Sequence, residues 1–247
     1  MIKEITSTQN SVYKLVKSLK TKKARQKEQK YTVEGIKSVN DAISAGCDIA
    51  FVVMSESFSG VDFKEIYVVP DGLFEGLCDT DTPQGVLAVI NMPKSEIAEK
   101  NRSLYLYCDR VTDPGNMGTI IRICDATDAG LLISPGCVDI FSPKTVRSSM
   151  GSFFHTRADV LSSDGLCAMK DAGYKIISGA LSDKTEDYKT ADYGDKTVIV
   201  VGNEANGICD EVLELSDTLV KIPIYGRAES LNVGVSAAIL LYEAKRK

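Results

Sequence analysis

The chain has 247 residues, 44% hydrophobic and 26% charged, a balance that suits a soluble globular protein of one large domain or two small ones. No apolar run approaches the roughly 20 residues a membrane helix needs, and Met1-Ile-Lys-Glu-Ile-Thr-Ser7 lacks the apolar core of a secretion signal, so a cytoplasmic protein is expected. Net charge is −5, but residues 1–37 carry ten Lys and Arg against three Glu, a net +7 that leaves −12 on the other 210 residues; such asymmetry points to a polyanion partner or, more plainly, to a solvated helix face.

In chain order, Val12, Leu15, Val16 and Leu19 recur at helical spacing and run into the basic stretch that ends at Lys30. Tyr31–Glu34 is β-rich, and Gly35 opens a helical pattern that closes at Gly46. Residues 51–54, 66–69 and 86–90 read as strands, which makes the first part a small α/β unit. The polar, proline-bearing stretch at 92–102 reads as a linker, with domains at 1–92 and 103–247. Beyond it, strand-like runs at 104–108, 131–133, 176–180, 197–201 and 219–222 alternate with helical patterns at about 117–128, 163–172, 208–215 and 231–245. Repeated strand–helix alternation argues for a parallel sheet covered by helices.

The seven cysteines lie at least 13 residues apart, so neither a zinc site nor a CxxC pair is encoded, and reduced, mostly buried thiols are expected. With one histidine, His155, multi-His metal sites are excluded; beside Phe153 and Phe154 it reads as packing rather than catalysis.

Three polar blocks interrupt the second half, each at the end of a strand. Asp109–Ala126 leaves one strand through Pro114-Gly115 and enters a helix carrying Asn116 and Arg122. Asn116 has the plain reading of an N-cap, and Arg122, among Ile120, Ile121, Ile123 and Cys124, that of a structural ion pair, since burying it unpaired is costly. Val198–Gly207 ends a buried strand in Gly202, with Glu204 and Gly207 after it; ligands of open α/β sheets bind outside such carboxyl ends. Ile222–Tyr242 passes Pro223, Gly226, Arg227, Glu229, Ser230 and Asn232 before an apolar helix. Ser230 would cap that helix, whereas Asn232, a poor helix residue that is costly to bury unpaired, asks for a partner. No dinucleotide fingerprint, P-loop or nucleophile elbow occurs.

Taken in order, Asn116–Arg122, Val201–Gly207 and Ile222–Ile224 with Ser230–Asn232 resemble the three motifs of the SpoU (TrmH) family of RNA ribose 2′-O-methyltransferases, in the SPOUT superfamily. The resemblance covers residues 104–242 and extends to Asn10–Gly35, which is similar to the substrate-binding domain of the family's ribosomal-RNA members, and to Asp81-Thr-Pro-Gln-Gly85, which looks like the inter-domain segment. Ile224 stands where many members carry Met. The resemblance implies a C-terminal α/β knot with a deep trefoil and a smaller N-terminal L30e-like α/β domain. It implies a homodimer that needs no metal. S-adenosylmethionine would be held mainly by backbone of Val201, Gly202, Asn203, Ile222, Pro223, Ile224 and Leu231. Arg122 would stabilise the developing alkoxide and clamp a phosphate, Glu204 would orient Arg122, and Asn116, Ser230 and Asn232 would position the ribose or shape the cofactor loop. Lys17, Lys20, Lys22, Lys23, Arg25, Lys27 and Lys30 would contact phosphates of a structured RNA, ribosomal before transfer RNA, aided by Arg147 and Arg157. The competing readings are the same reaction on tRNA, a non-catalytic RNA-binding protein on this scaffold, and a small-molecule enzyme, which would have no use for the basic end.

Overall fold

The computed structural model describes residues 1–93, 102–182 and 184–246. They form two units, one made of Met1–Lys94 with Asp139–His155, the other of Ser95–Val138 with Thr156–Lys247. Among the described residues no helix is long and apolar enough to cross a membrane.

In the first unit the chain runs β1 (Ile2–Glu4), α1 (Ser11–Ser18), α2 (Lys22–Glu28), β2 (Lys30–Glu34), α3 (Ile36–Ser44), β3 (Ile49–Ser55), β4 (Ile66–Val69), α4 (Asp71–Leu77) and β5 (Val86–Asn91). The sheet order is β1-β4-β3-β5-β2, with β5 antiparallel to both neighbours. Successive strand residues point to opposite faces, and both faces are covered here. Phe51, Val53, Leu87 and Val89 meet Tyr13, Val16, Leu19, Phe74 and Leu77 of the helices α1 and α4 and their flanks. Val52, Met54, Ala88 and Ile90 meet Val39 and Ala42 of α3. Double burial is why β3 and β5 read as continuous apolar runs rather than alternating ones.

The second face has a further cover drawn from far along the sequence. Phe141, Val146, Phe153 and Phe154 pack on that core. The Tyr31 ring lies 5.0 Å from Phe141 and 5.6 Å from Phe153, centroid to centroid. Beside the expected division at 1–92 and 103–247, contacts group residues 139–155 with the first unit, because their aromatic side chains complete its core. The expected linker lies outside the described residues apart from its ends. Asp81–Gly85 is corrected too, since it leads into β5 within the first unit. There Gln84 Oε1 accepts the N–H of Ile36, serving an α3 whose N-cap is the side-chain-less Gly35.

The second unit continues with β6 (Leu104–Cys108), α5 (Pro114–Thr127) and β7 (Gly130–Ile133). The helix α6 (Pro143–Ser148), next in the chain, belongs to the first unit, where it packs on β2. Then come β8 (Ala158–Val160), α7 (Ser163–Asp171), β9 (Lys175–Gly179), β10 (Glu186–Asp187), β11 (Thr197–Val201), α8 (Asp210–Leu215), β12 (Thr218–Lys221) and α9 (Val233–Arg246). All seven strands are parallel, in the order β10-β12-β9-β11-β6-β7-β8. The chain steps outward from β6 to β7 and β8, then returns to the other side of β6. The order thus reverses between β6 and β11, where an open α/β sheet leaves a crevice at its carboxyl edge. The expected parallel sheet is present, and the short edge strands β8 and β10 lacked a readable pattern.

The cysteines are free thiols. Burial pushes Cys78 up to about 12 and raises Cys108 and Cys124 further, so these three stay protonated at neutral pH and act as small apolar fillers. His155 is exposed rather than packed, because only its Phe neighbours turn inward.

Candidate active site at the carboxyl edge

Each polar block leaves the carboxyl end of a strand of one parallel sheet, after β6, β11 and β12. At the first, Asp113 caps α5, accepting the Asn116 N–H at 2.8 Å, and Pro114 takes the first helical position. Asn116 is therefore not the N-cap expected of it. It lies inside the first turn with its amide free to bond elsewhere.

At the second, Gly202 is required by close backbone approach: a Cβ there would lie 2.3 Å from the Gly207 carbonyl carbon and 2.4 Å from the Ile208 nitrogen. Two backbone hydrogen bonds between Asn203 and Gly207 close the intervening loop. Asn203 Oδ1 accepts the N–H groups of Ala205 and Asn206, and Asn203 Nδ2 donates to the Arg110 carbonyl at 2.9 Å. Glu204 is held at the tip of this closed loop. The side chain of Asn203, expected at the cofactor, is thus occupied in building the loop.

At the third, residues 225–232 are exposed, Tyr225 to 93%. The helix begins at Val233, and its cap is Asn232 rather than Ser230. Asn232 Oδ1 accepts from Gly234 N at 2.9 Å and Val235 N at 3.3 Å, while its carbonyl accepts from Ser236 N. This corrects the expectation of a buried asparagine: the residue is exposed, in the position its type favours. Ser230 makes no hydrogen bond to the described residues.

The three blocks meet through side-chain amides. Asn232 Nδ2 donates to Asn116 Oδ1 at 2.8 Å, and Asn116 Nδ2 donates to Glu204 Oε1 at 2.7 Å. An amide accepts through its oxygen and donates through its nitrogen, so each asparagine can hold both bonds, whereas an ionised carboxylate at 116 or 232 could only accept. A Cβ on Gly234 would lie 2.8 Å from Thr119 Cγ2, which shows how closely α9 starts against α5. The relay is solvent-exposed, so it contributes little to stability and leaves an oriented row of polar groups facing outward.

Arg122 departs from the reading of a structural ion pair. It is exposed on α5, and neither a hydrogen bond nor an ion pair joins it to the described residues. The expected Glu204–Arg122 bond is not formed; Glu204 Oε1 accepts from Asn116 instead. Of the expected cofactor residues, Val201 is buried, Ile222, Pro223 and Ile224 are half-buried and Leu231 is exposed. The backbone groups of Ile222, Ile224 and Leu231 enter no hydrogen bond with the described residues, so their N–H and C=O groups are available to a ligand.

In the first unit, Lys17, Lys20, Lys22, Lys23 and Lys27 are exposed along α1 and α2, and Lys30 is half-buried. Lys20 donates to the Cys78 carbonyl. Arg25 is corrected. It is 3% exposed, its Nη2 lies 2.6 Å from Asp139 Oδ2, and its Nη1 donates to the carbonyls of Leu19 and Lys20 at 2.7 and 2.9 Å. With Nε also bonded to Asp139, the guanidinium makes four hydrogen bonds, one more than the three donors of a lysine could supply. Arg147 is exposed, 3.4 Å from Asp79, and Arg157 lies 3.6 Å from Asp159.

Sequence reasoning missed Asp109, Arg110 and Asp113. All three follow β6 directly, and Asp before Pro at a helix start was the available signal for Asp113.

Comparison with known proteins agrees with this geometry. Residues 103–242 match the SpoU rRNA Methylase family, and residues 10–88 match an MRM3-like substrate binding domain. The chain is 35% identical to the 23S rRNA (guanosine(2553)-2′-O)-methyltransferase RlmP of Bacillus subtilis, over 99% of this chain and 100% of that one. It is 33% identical to the tRNA (guanosine(18)-2′-O)-methyltransferase of Aquifex aeolicus, but over only 62% of this chain and 74% of the relative. The crystal structure of an AdoMet-bound rRNA methyltransferase from Sinorhizobium meliloti superposes with a TM-score of 0.88 at 31% identity, covering 99% of this chain and 98% of that one. With more than half of its length matched by one family model, and with that family's three motifs joined at one sheet edge, the chain belongs to the SpoU rRNA methylase family.

Proposed function

We propose that this protein transfers a methyl group from S-adenosylmethionine to a ribose 2′-hydroxyl of 23S ribosomal RNA. The observation that carries the reading is the Asn232–Asn116–Glu204 relay, which gathers all three motifs at the carboxyl edge. Ribosomal RNA is favoured over tRNA because the likeness to the rRNA enzyme runs the whole length of the chain, whereas that to the tRNA enzyme leaves over a third of it unmatched.

The cofactor fits the chain's own groups: free backbone donors and acceptors at Ile222, Ile224 and Leu231. When bound it supplies a methyl on a sulfonium centre. The residues do the rest. The relay fixes the Asn116 and Asn232 amides toward the ribose. Arg122, exposed and without a partner among the described residues, holds the phosphate next to the target and offsets charge developing on the attacking oxygen. Ser230 lies on the same exposed loop, available to the ribose.

Family membership further supports a trefoil knot in the second unit, an L30e-like first unit and a division of the sequence near 93–102. It also supports a homodimer, and α9 presents a face suited to one. Val235 and Tyr242 are exposed in its first and third turns, with Leu231 just before the helix. A second copy would cover this stripe, and Tyr242→Glu is expected to halve the mass seen by sedimentation. A mass that is monomeric before the substitution removes the dimer.

The lysines of α1 and α2 would bind phosphates. Each of Lys22→Ala, Lys23→Ala and Lys27→Ala is expected to flatten the plot of log affinity against log salt by about 0.7–0.9 if it removes one phosphate contact. Arg25 is spent inside the protein and contributes nothing to that slope.

The reaction is tested with labelled S-adenosylmethionine and unmodified 23S rRNA or tRNA, followed by alkaline hydrolysis, which a 2′-O-methyl blocks at its own linkage. One alkali-resistant dinucleotide from 23S rRNA supports the proposal. Label in tRNA alone moves the substrate, and absence of cofactor binding removes the reaction.

A further inference from the structure

Asp109 is the most deeply placed carboxylate near the relay, at 2% exposure, directly after β6. Burial alone would raise its pKa, but the Arg110 guanidinium and the Cys209 N–H outweigh that and hold the carboxyl below its usual range. It is therefore an ionised group, set where an unpaired charge would be intolerable. Its partners are specific. Oδ2 accepts the Cys209 N–H at 2.8 Å, Arg110 donates from Nε at 3.2 Å and from Nη2 at 3.0 Å, and the Ser134 hydroxyl lies 3.4 Å from Oδ1.

Those partners enclose the loop that carries Glu204. Cys209 comes two residues after its closing Gly207, and Arg110 Nη2 reaches the Gly207 carbonyl at 3.4 Å. On the other side, Asn203 donates to the Arg110 carbonyl. Arg110 can offer that carbonyl because its backbone is left-handed, φ 52°, with its N–H held by Ser134 Oγ at 2.9 Å. A bulky non-glycine residue adopts this conformation only where surrounding bonds impose it. Both ends of the 203–207 loop are thus tied to the β6 exit through Asp109 and Arg110.

We propose that Asp109 is the positioning residue of the site: with Arg110 it fixes the Glu204 loop, and through Glu204 it sets the Asn116 and Asn232 amides that face the substrate. This rests on the methyl-transfer reading for its kinetic consequence but not for its structural one. Asp109 touches neither relay asparagine and is nearly inaccessible to solvent, so it acts only through the loop.

The test uses the full chain labelled with nitrogen-15 on asparagine side chains, together with steady-state kinetics. Asp109→Asn keeps the size and removes the charge. The expected result is displaced side-chain amide resonances of Asn116 and Asn232, with kcat down about 10²-fold, as misplacement on the ångström scale does. The dissociation constant for S-adenosylmethionine stays within about threefold, since backbone of the 222–231 segment is not tied to Asp109. Arg110→Gly keeps the left-handed backbone and its carbonyl but strands the buried Asp109 charge and cuts the tie to Gly207, and must displace the same two resonances. If Asp109→Asn does not fold, Asn203→Ala cuts the other tie and must displace the same two resonances. Unmoved resonances in a folded variant overturn the proposal, whatever happens to kcat. If the wild-type protein methylates no RNA, the functional reading fails while the resonances still decide the role of Asp109.

Discussion

Arg122→Ala is expected to bind S-adenosylmethionine and to unfold at the wild-type temperature, yet to transfer methyl about 10²–10³-fold more slowly at saturating RNA, the usual cost of removing one group that stabilises transition-state charge. An arginine that held the fold together would be buried or paired, and its loss would cost stability. Arg122 is exposed and unpaired with the described residues of its own chain, so its removal should change folding by no more than roughly 0.5 kcal/mol. Its value must then lie with something bound. Arg122→Lys restores the charge but not the planar two-pronged donor that suits a phosphate, so partial recovery is expected. Turnover assays beside thermal unfolding decide the matter. A variant with wild-type turnover would assign the alkoxide to another group, and one that loses stability and turnover together would make Arg122 structural.

Arg25→Ala is expected to destabilise the first unit by about 3–5 kcal/mol, because breaking a buried ion pair leaves an uncompensated partner behind. Arg25 shares the basic run with six lysines and differs from them in every consequence. Its side chain is 4% exposed and that of Asp139 is 14%. Removing the guanidinium strands the Asp139 carboxylate and the Leu19 and Lys20 carbonyls together. Asp139→Ala should cost a similar amount by stranding the cation. Arg25→Met with Asp139→Leu, which removes both charges while keeping bulk, should recover most of the loss. Urea unfolding of the three variants measures this. A loss below about 1 kcal/mol in both single variants would show the pair to be as weak as a surface bridge. The same experiment bears on residues 139–155, because Asp139 is the polar anchor of a segment otherwise seated by Phe141, Phe153 and Phe154.

What sequence alone settled about this protein are its local patterns. β4, β6 and β11 were legible to the residue because a buried strand needs an unbroken apolar run ended by turn formers, and both signals lie within a few positions. The second half was legible as a parallel α/β sheet for the same reason. The three polar blocks stood out because charged and amide residues between a buried strand and a buried helix require a purpose. Partners were not legible. That Asn116 would be relieved of capping by Asp113, that Asn232 would cap α9 and still reach Asn116, and that Glu204 would bond to Asn116 rather than Arg122 depend on how three strand ends meet. Burial of Arg25 depends on Asp139, 114 positions away in the chain. Periodicity carries no information about such pairings, because any loop of that length can return in many ways at nearly equal entropic cost. Tertiary structure decided which of several chemically equivalent cations and amides would be enclosed and which left facing solvent. The cause is that only a closed core supplies the low-dielectric surroundings in which an arginine must be paired, and only an open edge leaves one free to act.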